Sequence, residues 1–552
     1  MGFAPFFDRA RQSVGQALRG VGLADLERRL EGVIVTIAFD ATAEGSLEAR
    51  RTLDLSARLA ARLYPNMRIL PLHRGSDLAD ELTRLVKAIN PAITLANGQP
   101  HGLREVALVV GSTRHQANVV VYAGSEGWIA KVSTSGPVGS VNSGNPFGAG
   151  AAACLGMANV FRAVFADLLP HAGLDDDAAL SLLNFETGTR AANLDLGASV
   201  DIAAVQLVGV GAVGNAFLWS IARVPGIVGT LHPVDHETVE LSNLQRYVLT
   251  TMADDEAVKI TLAKRELAGS RLKVVPSRGT WSDHVGRSAG ARYDLVAVAL
   301  DSARDRILVQ SSLPRRIVNA WTQDGDLGIS RHGFDGEQAC LACLYLPHGK
   351  RRSLDEIVAG ELGLDHETYK MRLRDMLVVS SPVGEAFARE VAAAGGHDPA
   401  PLMAHAGLPL RAFRQRAVCG GLVMRAGDGS GADVEVPLAF QSALAGVMLA
   451  AEVVAERTGI REVRPATRSV VDLLRPLTSR PTFNVLKRAS VAVRCICEDP
   501  DWQDAYRVKW LLPQDENSDR HQPTSNDPLI SKRARRRNTG RTTRGKLSTL
   551  QN

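Results

Sequence analysis

The 552-residue chain reads as an α/β protein of two related halves, with a helical insertion in the second half and a basic, disordered C-terminal tail. Three observations carry this expectation. Short, wholly apolar runs such as VALVVG (106–111) and DLVAVAL (294–300) alternate with helical stretches, the pattern of strands buried in a mostly parallel sheet. Each half closes on a Gly/Ala-rich apolar helix, over 148–167 and 438–456, which suggests a diverged duplication. From Leu529 onward the chain carries eight Lys or Arg and no acids, a composition too poor in apolar residues to fold.

Residues 1–30 have the spacing of one or two amphipathic helices. From Val33, VIVTIAF reads as a strand and LEARRTLDLSARLAARL as a helix; NVVVYAG (118–124) and GWIAKV (127–132) continue the strands. A Gly/Pro loop then runs into the first long apolar helix. The second half starts at Ala203, where AAVQLVGVGAVGNAFLWSIARV is strand, tight glycine turn and helix, followed by strands at GTLHPVD and KVVPS. Charged, Leu/Ala/Arg-rich residues 346–415 form the expected helical insertion. The divisions are therefore 1–190, 200–345, 346–415, 416–512 and a tail over 513–552.

Composition excludes several classes. Hydrophobic residues at 45% and charged residues at 22% are ordinary for a globular protein. No uninterrupted apolar run reaches the ~20 residues of a membrane span, and charges interrupt the first twenty residues where a signal peptide has its apolar centre. Net charge is +5; without the eight tail cations the body is near −3, so it offers no nucleic-acid footprint. The tail reads as a solvated arm, the alternative being a weak polyanion contact. Six cysteines are too few for a disulfide scaffold and point to a reducing cytoplasm. Their grouping as Cys340-x-x-Cys343 and Cys495-x-Cys497 hints at metal, against buried or redox thiols.

Gly209-Val210-Gly211-Ala212-Val213-Gly214 is a GxGxxG between a strand and a helix, the Rossmann-like arrangement. Its glycines permit a tight turn and close approach to a phosphate, and the helix N-terminus supplies N–H donors. Asp235, 21 residues past Gly214, ends the next strand, where a carboxylate bonds a ribose hydroxyl. By itself this pattern fits an NAD-dependent oxidoreductase equally well. Residues 1–190 have no such loop.

The following segment, VDHETVELSNLQRYVLTTMADDEAVKI, closely resembles the DxDxVxxSNLxRQ…K signature of the ThiF/MoeB/ubiquitin-activating (E1-like) superfamily. Val239, Ser242-Asn243-Leu244, Arg246 and Lys259 fall in register; Glu237 and Tyr247 depart from the usual Asp and Gln. The resemblance implies two Rossmann-like adenylation-type halves forming a pseudo-dimer, the first inactive. It implies ATP bound by Gly209, Gly211, Gly214, Asp235, Asn243, Arg246, Lys259 and Asp301, with Mg2+ on Asp301 and catalytic charge stabilisation by Arg246 and Asp301. It also implies a structural Zn2+ on Cys340, Cys343, Cys495 and Cys497. Cys419, in the crossover before the last long helix and near Arg414 and Arg416, matches the family's thioester-forming cysteine, against a buried structural thiol. The implied substrate is a ubiquitin-like protein ending in glycine, passed on to a conjugating-type enzyme; no conjugating-enzyme domain is recognised within the chain. Modification of a sulfur-carrier protein or small peptide, without a thioester, is the alternative within the family.

Overall fold

The computed structural model describes residues 2–511 apart from 19–22, 99–101, 289, 324–325, 347–353, 396–397, 419–435, 478–481 and 488–493. Cys419 and the tail 513–552 lie outside the described residues. Residues 1–503 form one compact unit; of the second, 504–552, the described part is helical up to Trp510.

The first sheet comprises β1 (Val33–Phe39), β2 (Asn66–Pro71), β3 (Thr94–Leu95), β4 (Arg104–Val110), β5 (Val119–Glu126), β6 (Ile129–Ser133) and β7 (Ala178–Ser181), in the order β3-β2-β1-β4-β5-β6-β7. Its first five strands are parallel, and β6 and β7 are antiparallel. The second sheet comprises β8 (Asp201–Val208), β9 (Val228–Asp235), β10 (Lys273–Val274), β11 (Ser277–Arg278), β12 (Leu295–Val298), β13 (Arg316–Gln323), β14 (Asp326–His332) and β15 (Arg468–Val471). Its order is β10-β9-β8-β12-β13-β14-β15, with β11 also on β9. Again the strands through β13 are parallel and the last two antiparallel. Strand for strand, the two halves have one topology, as the matching terminal helices suggest.

Those helices, Phe147–Val164 and Ala439–Thr458, are long and apolar enough to cross a membrane, yet both are packed inside the fold. Small residues let them approach. A Cβ at Gly150 would lie 2.9 Å from the Trp219 ring and 3.1 Å from Val447, and one at Gly446 would lie 2.3 Å from the Val213 carbonyl. Polar bonds cross the same boundary: Trp219 Nε1 donates to Asp54 at 2.7 Å, and Arg51 donates to the Arg223 carbonyl at 2.8 Å. Glu452, fully buried, sits between Arg331 and Arg461, whose Nε donates to Leu183 O of the first half at 2.5 Å.

The insertion is helical. Helices Leu354–Glu361, His366–Val379, Glu385–Ala394, Pro399–Met403 and Leu410–Val418 enclose their own core of Val358, Leu362, Leu373, Phe387, Val391 and Phe413. The last helix runs across the expected division at 415/416. Arg414, expected to neighbour Cys419, is held in an ion pair with Glu361. KVVPS does not form one strand: it is split into the two-residue β10 and the start of β11 around Pro276, which has no N–H for the ladder.

Candidate active site

The glycine loop connects β8 to the helix Ala212–Ile221 at the carboxyl end of the second sheet. Gly209 has φ +94°, a left-handed conformation that side chains disfavour, and a Cβ there would meet Ala299 O at 2.5 Å. A Cβ at Gly214 would meet Gly209 O at 2.3 Å. Asp235 ends β9 and grips the same loop: its Oδ2 accepts from the Val210 N–H at 2.7 Å, and its Oδ1 from the Glu237 N–H at 2.9 Å. Asn215, which sequence reasoning passed over, ties this loop to the next. Its amide donates to Val210 O and Gly211 O at 2.9 and 3.0 Å, and its carbonyl accepts from the Leu249 N–H at 3.3 Å.

Arg246 and Lys259 converge on Tyr247. The guanidinium of Arg246 lies 5.8 Å and the Lys259 ammonium 5.2 Å from the Tyr247 ring centre. The Tyr247 hydroxyl lies 3.5 Å from where a Cβ of Gly211 would be, so this buried ring stands over the glycine loop. In the sequence Tyr247 registers only as a departure from the signature; its placement needed the fold. Burial lowers the Arg246 pKa, partly offset by Tyr247 and Asp301, and its Nη1 is buried with no hydrogen-bond partner. An unpaired buried guanidinium N–H is costly, and an anion would satisfy it. Burial alone would also lower Lys259, but Tyr247 and an ion pair with Glu237 outweigh it and hold the ammonium above its ordinary value.

Asn243 spends its side-chain carbonyl on the Glu240 N–H at 3.1 Å, capping the turn Leu241–Gln245. Asp301 follows β12, is exposed, and has no hydrogen-bond or ion-pair partner recorded among the described residues; its charge acts on Arg246 and Arg306. A solvent-facing carboxylate not consumed by a protein partner suits Mg2+.

Cys340, Cys343, Cys495 and Cys497 are all buried and form one cluster, their sulfurs within 4.8 Å of one another. Closer pairs stand at 3.7 Å (340–343), 3.5 Å (340–495), 3.4 Å (343–495) and 3.5 Å (343–497). A tetrahedron with Zn–S bonds of ~2.3 Å has sulfurs about 3.8 Å apart, so the donor set fits zinc. Cys154 lies buried in the helix Phe147–Val164, and burial pushes its thiol well up, as for an inert core cysteine.

The corresponding place in the first half is filled differently. Asp40 follows β1 as Gly209 follows β8. Its Oδ1 accepts from the Ala43 N–H at 3.0 Å and from Thr42 Oγ1 at 2.6 Å. Its Oδ2 accepts from the Ser112 N–H at 2.8 Å and from Thr113 Oγ1 at 2.7 Å. Burial works against ionisation here, but those bonds win and hold the carboxyl well below the usual carboxylate range. Gly111, after β4, has φ +124°, and a Cβ there would meet Asp40 Oδ1 at 2.3 Å. The protein's own carboxylate thus takes up the N–H and hydroxyl donors at the end of β1, where the second half carries its glycine loop.

Comparison with known proteins gives two family matches: the ThiF family over residues 195–490, and prokaryotic E2 family C over 38–166. The second corrects the reading that no conjugating-type (E2) segment is recognisable in the chain. The uncharacterized protein y4jF of Sinorhizobium fredii is 46% identical over 515 residues, which is 92% of this chain and 98% of the relative. Among solved structures, E. coli MccB with ATP aligns at 24% identity over 26% of this chain and 44% of that one, TM-score 0.23. E. coli MccB with N-formylated MccA aligns at 20% over 31% and 48%, TM-score 0.25, and PaaA at 18% over 27% and 48%, TM-score 0.21. The chain spans about half the length, or less, of these solved proteins. With the family match extending over more than half of its residues, the chain belongs to the ThiF family of adenylating enzymes.

Proposed function

We propose that the chain activates the C-terminal carboxylate of a ubiquitin-like protein with ATP and transfers it to Cys419 as a thioester, for delivery to a conjugating-type enzyme. The observation that carries the adenylation step is the unpaired, buried Nη1 of Arg246 beside Lys259 and the glycine loop. Two anions must meet when a carboxylate oxygen attacks the α-phosphate of ATP and pyrophosphate leaves. Arg246 and Lys259 supply fixed positive charge for the phosphates and for the transition state, where preorganised charge counts most. Asp301 would hold Mg2+, which adds charge neutralisation at the phosphates when bound. Asp235 would bond the ribose, and Asn243 would orient ribose or phosphate with the part of its amide not used in the turn. The paired cations favour a triphosphate over the pyrophosphate of a dinucleotide, so the oxidoreductase reading falls behind.

Cys419 would then attack the acyl carbon of the adenylate, releasing AMP and keeping the acyl group as a thioester. The zinc cluster would staple the loop after β14 to the C-terminal end of the active half, in the reducing cytoplasm that free thiolates need. Residues 1–190 would be a structural partner without a nucleotide site, a reading supported by Asp40 at the strand end. Division of the rest into 200–345, 346–415 and 416–512, with a tail over 513–552, belongs to this proposal.

The test is ATP–pyrophosphate exchange by the full chain in the presence of candidate ubiquitin-like substrates. Exchange that requires a free C-terminal carboxylate on such a protein is expected. Exchange supported equally by a short peptide, with no reductant-sensitive adduct on Cys419, would move the assignment to a peptide- or sulfur-carrier-modifying enzyme.

A further inference from the structure

The ATP-site segment is held from beneath by arginines of the other half. After the turn Leu241–Gln245 the chain passes through Arg246 to Thr250, where the Tyr247 carbonyl accepts from the Thr250 N–H at 3.0 Å and from the Thr250 hydroxyl at 2.8 Å. Arg62, from the first half and 1% exposed, donates through Nη2 to Tyr247 O at 2.6 Å and to Thr250 O at 2.7 Å. Arg58 donates to Val248 O at 3.0 Å. Arg62 is itself fixed by donating to the Arg58 carbonyl, and Arg58 is paired with Asp54, which also accepts from Trp219. None of these arginines approaches the glycine loop in the recorded bonds. Across to the second half they donate only to backbone carbonyls, those of Tyr247, Val248 and Thr250, the segment whose Tyr247 ring stands over Gly211 near Arg246 and Lys259.

We propose that Arg62 is a positioning residue for the ATP site: by holding the Tyr247 and Thr250 carbonyls, the inactive half sets where Tyr247 and Arg246 stand over the glycine loop. This rests on the adenylation reading and gives the first half a specific part in it. A buried guanidinium bonded to two carbonyls at once resists displacement of the segment more than a single contact would, because both bonds must lengthen together. Arg62 is buried enough for its pKa to fall to about 9, by burial first and Arg58 second, so its only compensation is this set of carbonyls and nearby acids.

Arg51 provides the matched control. It lies on the helix Leu47–Ala60, whose following turn carries Arg62, and also bonds a second-half carbonyl, that of Arg223, but far along the chain from residues 246–250. Titration calorimetry of the full chain with Mg2+-ATP, at a temperature well below unfolding, separates the two. Arg62→Met should weaken ATP binding roughly tenfold, since sub-ångström misplacement of binding groups is amplified in affinity. Arg62→Lys, which keeps the charge and one or two donors, should recover part of that loss. Arg51→Met should lower the melting temperature comparably and bind ATP as the wild type does. In a cycle with Tyr247→Phe the effects should be non-additive, because Arg62 acts through Tyr247. Should Arg62→Met not fold, Arg62→Gln carries the same comparison. Wild-type affinity in the Arg62 variants overturns this inference alone. A wild type that binds no ATP overturns the adenylation reading and this inference with it.

Discussion

At the carboxyl end of β8 the chain turns through Gly209, with the Tyr247 ring over the loop and the Nη1 of Arg246 buried without a hydrogen-bond partner. At the carboxyl end of β1 it turns through Asp40, whose two oxygens consume the N–H and hydroxyl donors of Ala43, Thr42, Ser112 and Thr113. Strand order, direction and closing helix are the same on both sides. On the proposed reading, the difference teaches that a Rossmann-like sheet provides a place for an anion, and that the residue at one strand end decides whether a ligand or the protein's own side chain takes it.

The largest effect should come from removing charge on the open side. Arg246→Ala, Lys259→Ala or Asp301→Asn should each lower ATP–pyrophosphate exchange by about a hundredfold or more, as loss of a preorganised transition-state contact does. Calorimetry should give one ATP per chain; two equivalent sites would erase the distinction between the halves. Next in size is the metal proposed for the four cysteines of the second half. Metal analysis should find about one zinc per chain, and Cys340→Ser should lose it and melt lower, because metal binding is linked to folding.

Glu452 probes whether the halves unfold together, since its partners Arg331 and Arg461 lie over Phe185 of the first half at 4.9 and 5.6 Å. Burial raises its carboxyl, but the two arginines more than reverse this and bring it from 4.5 to about 2. Its stabilisation is therefore full above pH 4.5 and lost as the pH falls through that window toward 2. Glu452→Gln should cost about 3 kcal/mol at neutral pH by stranding two buried cations, and should flatten the acid limb of a melting-temperature profile. The smallest effect is expected at Asp40. Asp40→Ala removes a cap worth about 1 kcal/mol and leaves ATP stoichiometry at one, because β1 runs into Asp40 and a short helix and not into a GxGxxG loop. A second ATP bound by Asp40→Ala would mean that the carboxylate alone keeps the first half closed.

How legible these features were depended on how local their cause is. Gly209 and Gly214 were readable because a Cβ at either would collide with backbone, a constraint that leaves glycine at a fixed spacing. The four cysteines were readable because metal ligation needs paired thiols, although the 152 to 155 residues between partners gave no geometry. Strands β2, β13 and β14 went unread: NMRILP and RIVNAWTQ mix polar and apolar residues without clean alternation, and tertiary pairing decides them. Asp40 carried no signal in the sequence; only the sheet order sets it at the strand end that corresponds to Gly209. Arg62 was one of several arginines on a helix, and only the fold reveals that it bonds residues 185 and 188 positions away.

Covalent fusion of the two halves has an evolutionary corollary. In a symmetric pair of identical chains, each position is written once and used twice, so a carboxylate that closed one pocket would close both. Here positions 40 and 209 are separate entries in one polypeptide, and each is free to drift. On the proposed reading, the first half gives up ligand capture and serves as a brace without sacrificing its neighbour. Dilution cannot separate two halves of one polypeptide, so whatever each contributes stays paired at any cellular abundance, and selection acts on the asymmetric whole.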